Sequence, residues 1–283
     1  MSQALANVNG EIQPLEDVRI SVLDRGFLFG DAVYEVIRVY GGKPFLIDEH
    51  LRRLSQSMES IRLEGADMRD IIARINGTIN AGEFQEAIVY IQITRGSAPR
   101  KHAFPENYQP FQLIWVQPFQ DAYADARQNG ASVVTTPDIR WHRCDIKSTN
   151  LLGNVLGAQV AAEAGCMEAI FYREDGTLTE GSHTNLFGVR DGAIVTAPRS
   201  NAILPGITRE LISRLAEQAA IPMIEDYLRR DELSTLSELF VSGTTSEVMP
   251  VVRIDDQTIG DGKPGPVTRR LQEAYAKAVQ EFL

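Results

Sequence analysis

Lysine, histidine and cysteine are all scarce in this 283-residue chain, and each scarcity narrows what it can be. Two cysteines, Cys144 and Cys166, exclude a disulfide framework and favour a reducing, cytoplasmic setting. The four histidines, His50, His102, His142 and His183, lack metal-ligand spacing, so no metal site is expected. No apolar run approaches the ~20 residues that span a bilayer. The first residues, "MSQALANVNGEIQPLEDV", lack the basic-then-apolar pattern of a signal peptide. Positive charge is short as well: the net charge is -10, which argues against a nucleic-acid partner. Nucleotide signatures are missing too. "GDGKPG" (260–265) matches G-x-G-x-x-G, but the chain that follows is too short for a βαβ unit, and it reads as a turn. Neither a G-x-S-x-G elbow nor a Walker A sequence occurs.

What is present is an ordinary globular composition, 43% hydrophobic and 23% charged, on a chain long enough for two domains. Alternation predicts strands over 18–23, 33–47 (a hairpin turning at Gly41–Gly42), "AIVYIQITR" and "FQLIWVQP". Apolar spacing predicts helices from Asp48, with Leu51, Leu54, Met58 and Ile61 on one face, and from Asp67, with Ile71, Ile75 and Ile79. These form a smaller α+β domain over 1–120. A polar linker over 121–130 and a larger domain over 131–283 are expected to follow. The latter has strands "ASVVTTP", "EAIFYRE", "NLFGVR", "AIVTA", "ELFVSGTT" and "VMPVVRI", and helices over about 150–165, from Thr208, and from 267 to the end. The interleaving is irregular, which favours α+β over a doubly wound sheet.

Of the five lysines, only Lys147, in "RCDIKSTNLLGNVLG", lies in a stretch able to hold it still and away from water. Burial disfavours the charged amine and makes it a nucleophile towards carbonyls, so Lys147 is a candidate for Schiff-base chemistry. A surface lysine paired with Asp145 is the plainer alternative. "LPGITRE" (204–210) shapes a turn into a helix whose free N–H groups would suit phosphate, with Thr208 as the expected cap. "VSGTTSE" (241–247) is a second Gly/Thr turn, and Arg53 could add a cation to a phosphate cup. Glu180, in "GTLTEGSHTN", could hold a pyridine nitrogen protonated, or could be an exposed loop carboxylate. "TRGSAPRKHAFP" places Arg100 and His102 one residue apart, a pairing suited to a carboxylate, with Arg95 nearby. Tyr34 could offer its hydroxyl to a pocket.

Taken in order, "RGFLFGDAVYE", "EHLRRL", "DIKSTNLLGNVLG", "LTEGSHTN", "LPGITRE" and "SGTTSEV" resemble the fold-type IV pyridoxal-phosphate enzymes, over roughly Val18 to Leu271. This family includes D-amino acid aminotransferases, branched-chain L-aminotransferases and aminodeoxychorismate lyases. The Arg100-x-His102 loop is similar to that of the D-amino acid aminotransferases. The resemblance implies a two-domain fold with pyridoxal 5'-phosphate on Lys147, which then moves the proton. It implies Glu180 at the ring nitrogen, Leu204 against the ring, and Arg53, Ile207 (by its N–H), Thr208, Gly243 and Thr244 at the phosphate. Tyr34, Arg100 and His102 would bind the substrate carboxylate, the last two from the neighbouring subunit of a homodimer. D-Alanine and D-glutamate with their 2-oxo acids are the implied substrates, and a lyase or a branched-chain L-aminotransferase is the alternative. Two positions depart from the pattern: His183 stands where a small hydroxylated residue is usual, and Gly243 where a serine can assist the phosphate. Arg38 resembles members outside the D-specific group.

Overall fold

The computed structural model describes residues 3–283. The chain forms two compact units. One runs to Gln120 and takes in Ile146–Asn150 and Phe282–Leu283; the other comprises Asp121–Asp145 and Leu151–Glu281.

In the first unit the elements are β1 (Leu5–Val8), β2 (Glu11–Pro14), α1 (Arg25–Phe29), β3 (Ala32–Tyr40), β4 (Lys43–Pro44), α2 (Ile47–Ser60), α3 (Met68–Ala81), β5 (Ala87–Thr94) and β6 (Phe111–Pro118). The strands make one antiparallel sheet in the order β2-β1-β6-β5-β3-β4. Leu51, Leu54 and Met58 of α2 and Ile71, Ile75 and Ile79 of α3 close over Val33, Ile37, Val89, Ile91 and Ile93 to form its core. Asp67 caps α3 as expected, accepting from the Arg69 N–H, and α2 begins at Ile47 behind Leu46 rather than at Asp48.

The strand expected over 18–23 is not formed. Ile20, Val22 and Leu23 alternate with polar residues but remain 49%, 71% and 48% exposed, and among the described residues no strand pairs with this stretch. The missing edge comes instead from β1 and β2, joined at Asn9–Gly10, both at positive φ as the tightest hairpin turns require.

The Lys147 segment, expected within the larger domain, groups with this unit. The Tyr34 N–H donates to the Lys147 carbonyl at 3.0 Å and the Thr149 N–H to that of Ala32 at 3.1 Å. Ser148 bridges Val33, and Ile146 is buried in the same core.

The second unit contains α4 (Ala124–Asn129), β7 (Ala131–Pro137), α5 (Leu152–Glu163), β8 (Glu168–Tyr172), β9 (Leu178–Gly181), β10 (Asn185–Arg190), β11 (Ala193–Thr196), α6 (Ile207–Gln218), β12 (Met223–Glu225), β13 (Glu238–Gly243), β14 (Glu247–Ile254), β15 (Gln257–Thr258) and α7 (Pro266–Phe282). Its mixed sheet runs β12-β11-β10-β13-β14-β7-β8-β9, with β15 against β14. The expected linker is part of this unit: 124–129 is helical, and Tyr123 and Ala126 pack on its core. The turns at Asp175–Gly176 and Asp191–Gly192 join β8 to β9 and β10 to β11 as expected. Among the described residues, no helix is long and apolar enough to cross a membrane.

Candidate active site

In the first unit the side chains singled out by sequence gather around β3 and α2. Lys147 is half-buried, and its Nζ lies 4.3 Å from the centre of the Tyr34 ring. The ring face attracts the cation and helps hold the chain in place. The Lys147 N–H donates to Ser57 Oγ at 3.2 Å, one helical turn after Arg53 on α2. Arg53 is buried, not on a solvated helix face. Its Nε and one terminal nitrogen donate to the two oxygens of Glu35 at 2.7 and 2.8 Å, the bidentate fork that fixes a guanidinium's plane. His50 Nδ1 is 2.7 Å from the same carboxylate. Burial alone would raise the Glu35 pKa, but Arg53 and His50 outweigh it and hold the acid down at about 2. Burial in turn keeps His50 below its ordinary value.

Tyr34 stacks on Tyr90, which stacks on Trp115 at 3.8 Å, so the sheet face beside Lys147 is lined with rings. Arg100 and His102 are exposed and converge on one ring: the Arg100 guanidinium lies 5.3 Å and the His102 ring 5.4 Å from the centre of Phe29. Arg25 holds the loop backbone by donating to the carbonyls of Lys101 and His102. Arg95 is not part of this cationic patch. It is 1% exposed, bonds Asp31, and donates to the carbonyls of Ile61 and Arg62. Arg38 is likewise committed elsewhere, paired with Glu86 and lying over the rings of Tyr40 and Phe119.

In the second unit, Glu180 on β9 is buried, not a loop carboxylate. It accepts from Arg140 at 2.5 Å, from the Asn185 amide at 3.1 Å and from the Leu204 N–H at 3.0 Å. Burial raises its pKa to about 7 against the pull of Arg140. Arg140 is itself steadied by Asp138 and the Phe171 ring. Asn185 also donates to the Leu204 carbonyl at 2.9 Å, so one amide ties Glu180 to the turn that enters α6. That turn ends at Gly206, the residue before the helix. A β-carbon there would lie 2.0 Å from Asn185 Oδ1, so any other residue would force the Asn185 amide to shift.

Thr208, expected as the cap, is the second residue of α6, and no described side chain caps this helix. Asn185 pairs with Ser242 on β13, which brings the Gly243–Thr244 turn onto the same sheet as Glu180. Two buried hydroxyls at this turn, Ser242 Oγ and Ser246 Oγ, have no hydrogen-bond partner among the described residues. His183 is exposed, its Nδ1 3.0 Å from both Ser182 Oγ and Glu168.

Residues 32–254 match the amino-transferase class IV family. The chain belongs to the class IV aminotransferases. It is 42% identical to a D-alanine aminotransferase of Staphylococcus haemolyticus, over 96% of this chain and 97% of that one. A D-alanine aminotransferase of Bacillus licheniformis is 39% identical over 96% and 95%. Among solved structures, the branched-chain amino acid aminotransferase of Escherichia coli superposes with a TM-score of 0.91 at 29% identity, covering 98% of this chain and 94% of that one. The branched-chain enzyme of Thermobaculum terrenum, solved in its PLP form, gives 0.86 at 25%, covering 99% and 95%. The α+β fold is therefore that of an aminotransferase, and pyridoxal 5'-phosphate is its cofactor.

The aminotransferase's residues suit that cofactor. A carboxylate held among three donors can take a ring N–H, and unpaired buried hydroxyls with an uncapped helix start can take a phosphate. Sequence reasoning passed over Arg140, Asn185, Glu35 and Ser246. Asn185, Glu35 and Ser246 lie inside the quoted "LTEGSHTN", "RGFLFGDAVYE" and "SGTTSEV"; Arg140 carries no local signal.

Proposed function

We propose that this aminotransferase moves amino groups between D-amino acids, with D-alanine and D-glutamate as the natural pair, and their 2-oxo acids. The observation that carries the D-specific reading is 42% identity, sustained over nearly the whole of both chains, to a D-alanine aminotransferase. The branched-chain structures share the fold at 25% and 29% identity and support a weaker claim on substrate.

Bound, pyridoxal 5'-phosphate supplies an electrophilic carbonyl carbon and a ring that accepts the electron pair left when a proton is removed. In this reading Lys147 is the residue that would hold the cofactor through Nζ, and its amine would serve as the base and acid that moves the substrate's α-proton. Glu180, its oxygens aimed by Arg140 and Asn185, would accept the ring N–H, and Leu204 would pack on the ring. Arg53, fixed by Glu35, and, in the other unit, the Ile207 N–H, Thr208, Gly243 and Thr244 are the groups that would hold the phosphate. Tyr34, Arg100 and His102 orient the substrate by its α-carboxylate, which selects the hand presented to Lys147.

The chain is read as a homodimer whose Arg100 and His102 serve the partner's site. Supporting this, Leu152, Val155, Leu156 and Val160 of α5 are exposed together with Ile139 and Trp141, an apolar area that calls for a cover. Two free cysteines support a reducing, cytoplasmic location.

Incubation with D-alanine and 2-oxoglutarate should yield pyruvate and D-glutamate. Activity confined to L-leucine would overturn the stereochemical assignment, and pyruvate released without an amino acceptor would point to a lyase. Arg100→Ala should raise KM for the amino donor by about 10–100-fold while cofactor binding holds, because the lost charge-assisted bonds act on substrate alone.

A further inference from the structure

We propose that Ser246 is a phosphate-binding residue of this enzyme, supplying from the far end of the β13–β14 turn the hydroxyl that Gly243 lacks. This rests on the reading of that turn as the phosphate cup. Gly243 ends β13, Thr244–Ser246 form the turn, and Glu247 opens β14 opposite Gly243. Glu247 is at φ +56, and this left-handed residue closes the turn tightly onto Gly243. The closure is measurable: a β-carbon built on Gly243 would lie 2.9 Å from Ser246 Oγ. The Ser246 hydroxyl therefore occupies the space that a side chain at 243 would fill.

Ser246 is 1% exposed, and its Oγ has no partner among the described residues. Burying a hydroxyl without a hydrogen bond is costly, so such a group marks where an acceptor belongs. A phosphate oxygen is an acceptor of the right kind. Ser242 Oγ is also buried and unpartnered, but only the Ser246 oxygen takes the place of a side chain at 243. The glycine thus transfers the hydroxyl three residues along the chain and does not delete it.

The test compares pyridoxal 5'-phosphate with pyridoxal, which has no phosphate, by absorbance titration of the cofactor-stripped full-length chain. Ser246→Ala should weaken binding of the phosphorylated form about tenfold, the loss of one hydrogen bond to a charged group, and leave pyridoxal binding unchanged. Gly243→Ser combined with Ser246→Ala should restore affinity, since removing the Ser246 oxygen clears room for a serine at 243. Unchanged affinity in Ser246→Ala overturns the proposal. So does an equal loss for both ligands, which would make the hydroxyl merely structural, and so does a double variant no tighter than Ser246→Ala. Borohydride fixation followed by peptide mapping tests the underlying reading separately: wild-type chain without a pyridoxyl label on Lys147 would show that the cofactor assignment itself is wrong.

Discussion

At Glu180 two influences oppose each other, and the balance can be read in solution. Burial favours the neutral acid while Arg140 favours the carboxylate; burial prevails and the pKa rises from 4.5 to about 7. An acid with a raised folded pKa contributes stability that is full below its unfolded value and is lost as pH rises through the folded one. Between pH 5 and 8, cofactor-free wild-type chain should therefore lose on the order of 3 kcal/mol relative to Glu180→Gln, which has no proton to release. Urea unfolding of both chains at the two pH values measures this, and a constant difference would show that Arg140 keeps Glu180 ionised throughout. At this scale the sequence was half legible. Scarcity pointed to Lys147 because four other lysines sit in turns, loops or a charged helix, and Glu180 stood out within a Gly/Thr-rich stretch. Arg140 could not be found that way: its partner lies 40 residues on, and "DIRWHR" shows nothing to distinguish one arginine from another.

The turn between β9 and β10 shows how an element is positioned for the site it serves. Glu168, wholly buried on β8, accepts from the Ala169, Ser182 and His183 N–H groups and from the hydroxyls of Ser182 and Thr184. The turn that leads from Glu180 to Asn185 is thus wound around one carboxylate. Glu168→Gln replaces an acceptor oxygen with a donor amide facing donors, and should lower stability by about 2–4 kcal/mol; the shift in the urea midpoint measures it. Gly206→Ala acts on the next element. Its methyl would displace Asn185, releasing both Glu180 and the Leu204 turn, so cofactor affinity should fall at least tenfold while thermal stability changes less. A titration of the variant checks this, and wild-type affinity would mean that Asn185 can move aside without cost. Helices with one clear apolar face were predictable because packing and spacing agree. The strand expected over 18–23 failed because alternation records only a preference, and a strand also needs a neighbour to bond. The cap of α6 falls at Gly206 and not Thr208 because both suit a helix start, and the close approach of Asn185 favours the residue without a β-carbon.

At the level of the whole molecule, the exposed apolar surface and the exposed Arg100–His102 pair both bear on the proposed homodimer. On α5 only Gly157 and Ala161 are buried, although the helix is apolar on nearly every side, and such a helix normally has cover all round. Arg100 and His102 stand on Phe29 in solvent, where they could reach a neighbouring chain. In a homodimer with shared sites, Lys147 of one subunit works with Arg100 of the other. The two lesions Lys147→Ala and Arg100→Ala then differ from ordinary inactivating changes in being complementary. A heterodimer of one Lys147→Ala chain and one Arg100→Ala chain gathers both lesions into one site and leaves the second site whole. Purified through two different affinity tags, it should show about half of wild-type turnover, and each parental homodimer should show little under the same subsaturating D-alanine. If each chain completes its own site, both sites of the heterodimer carry a lesion and activity stays at the parental level. Matching melting curves for the two parents would establish that both fold, so that absent recovery in proven heterodimers would count against sharing and not against the chains.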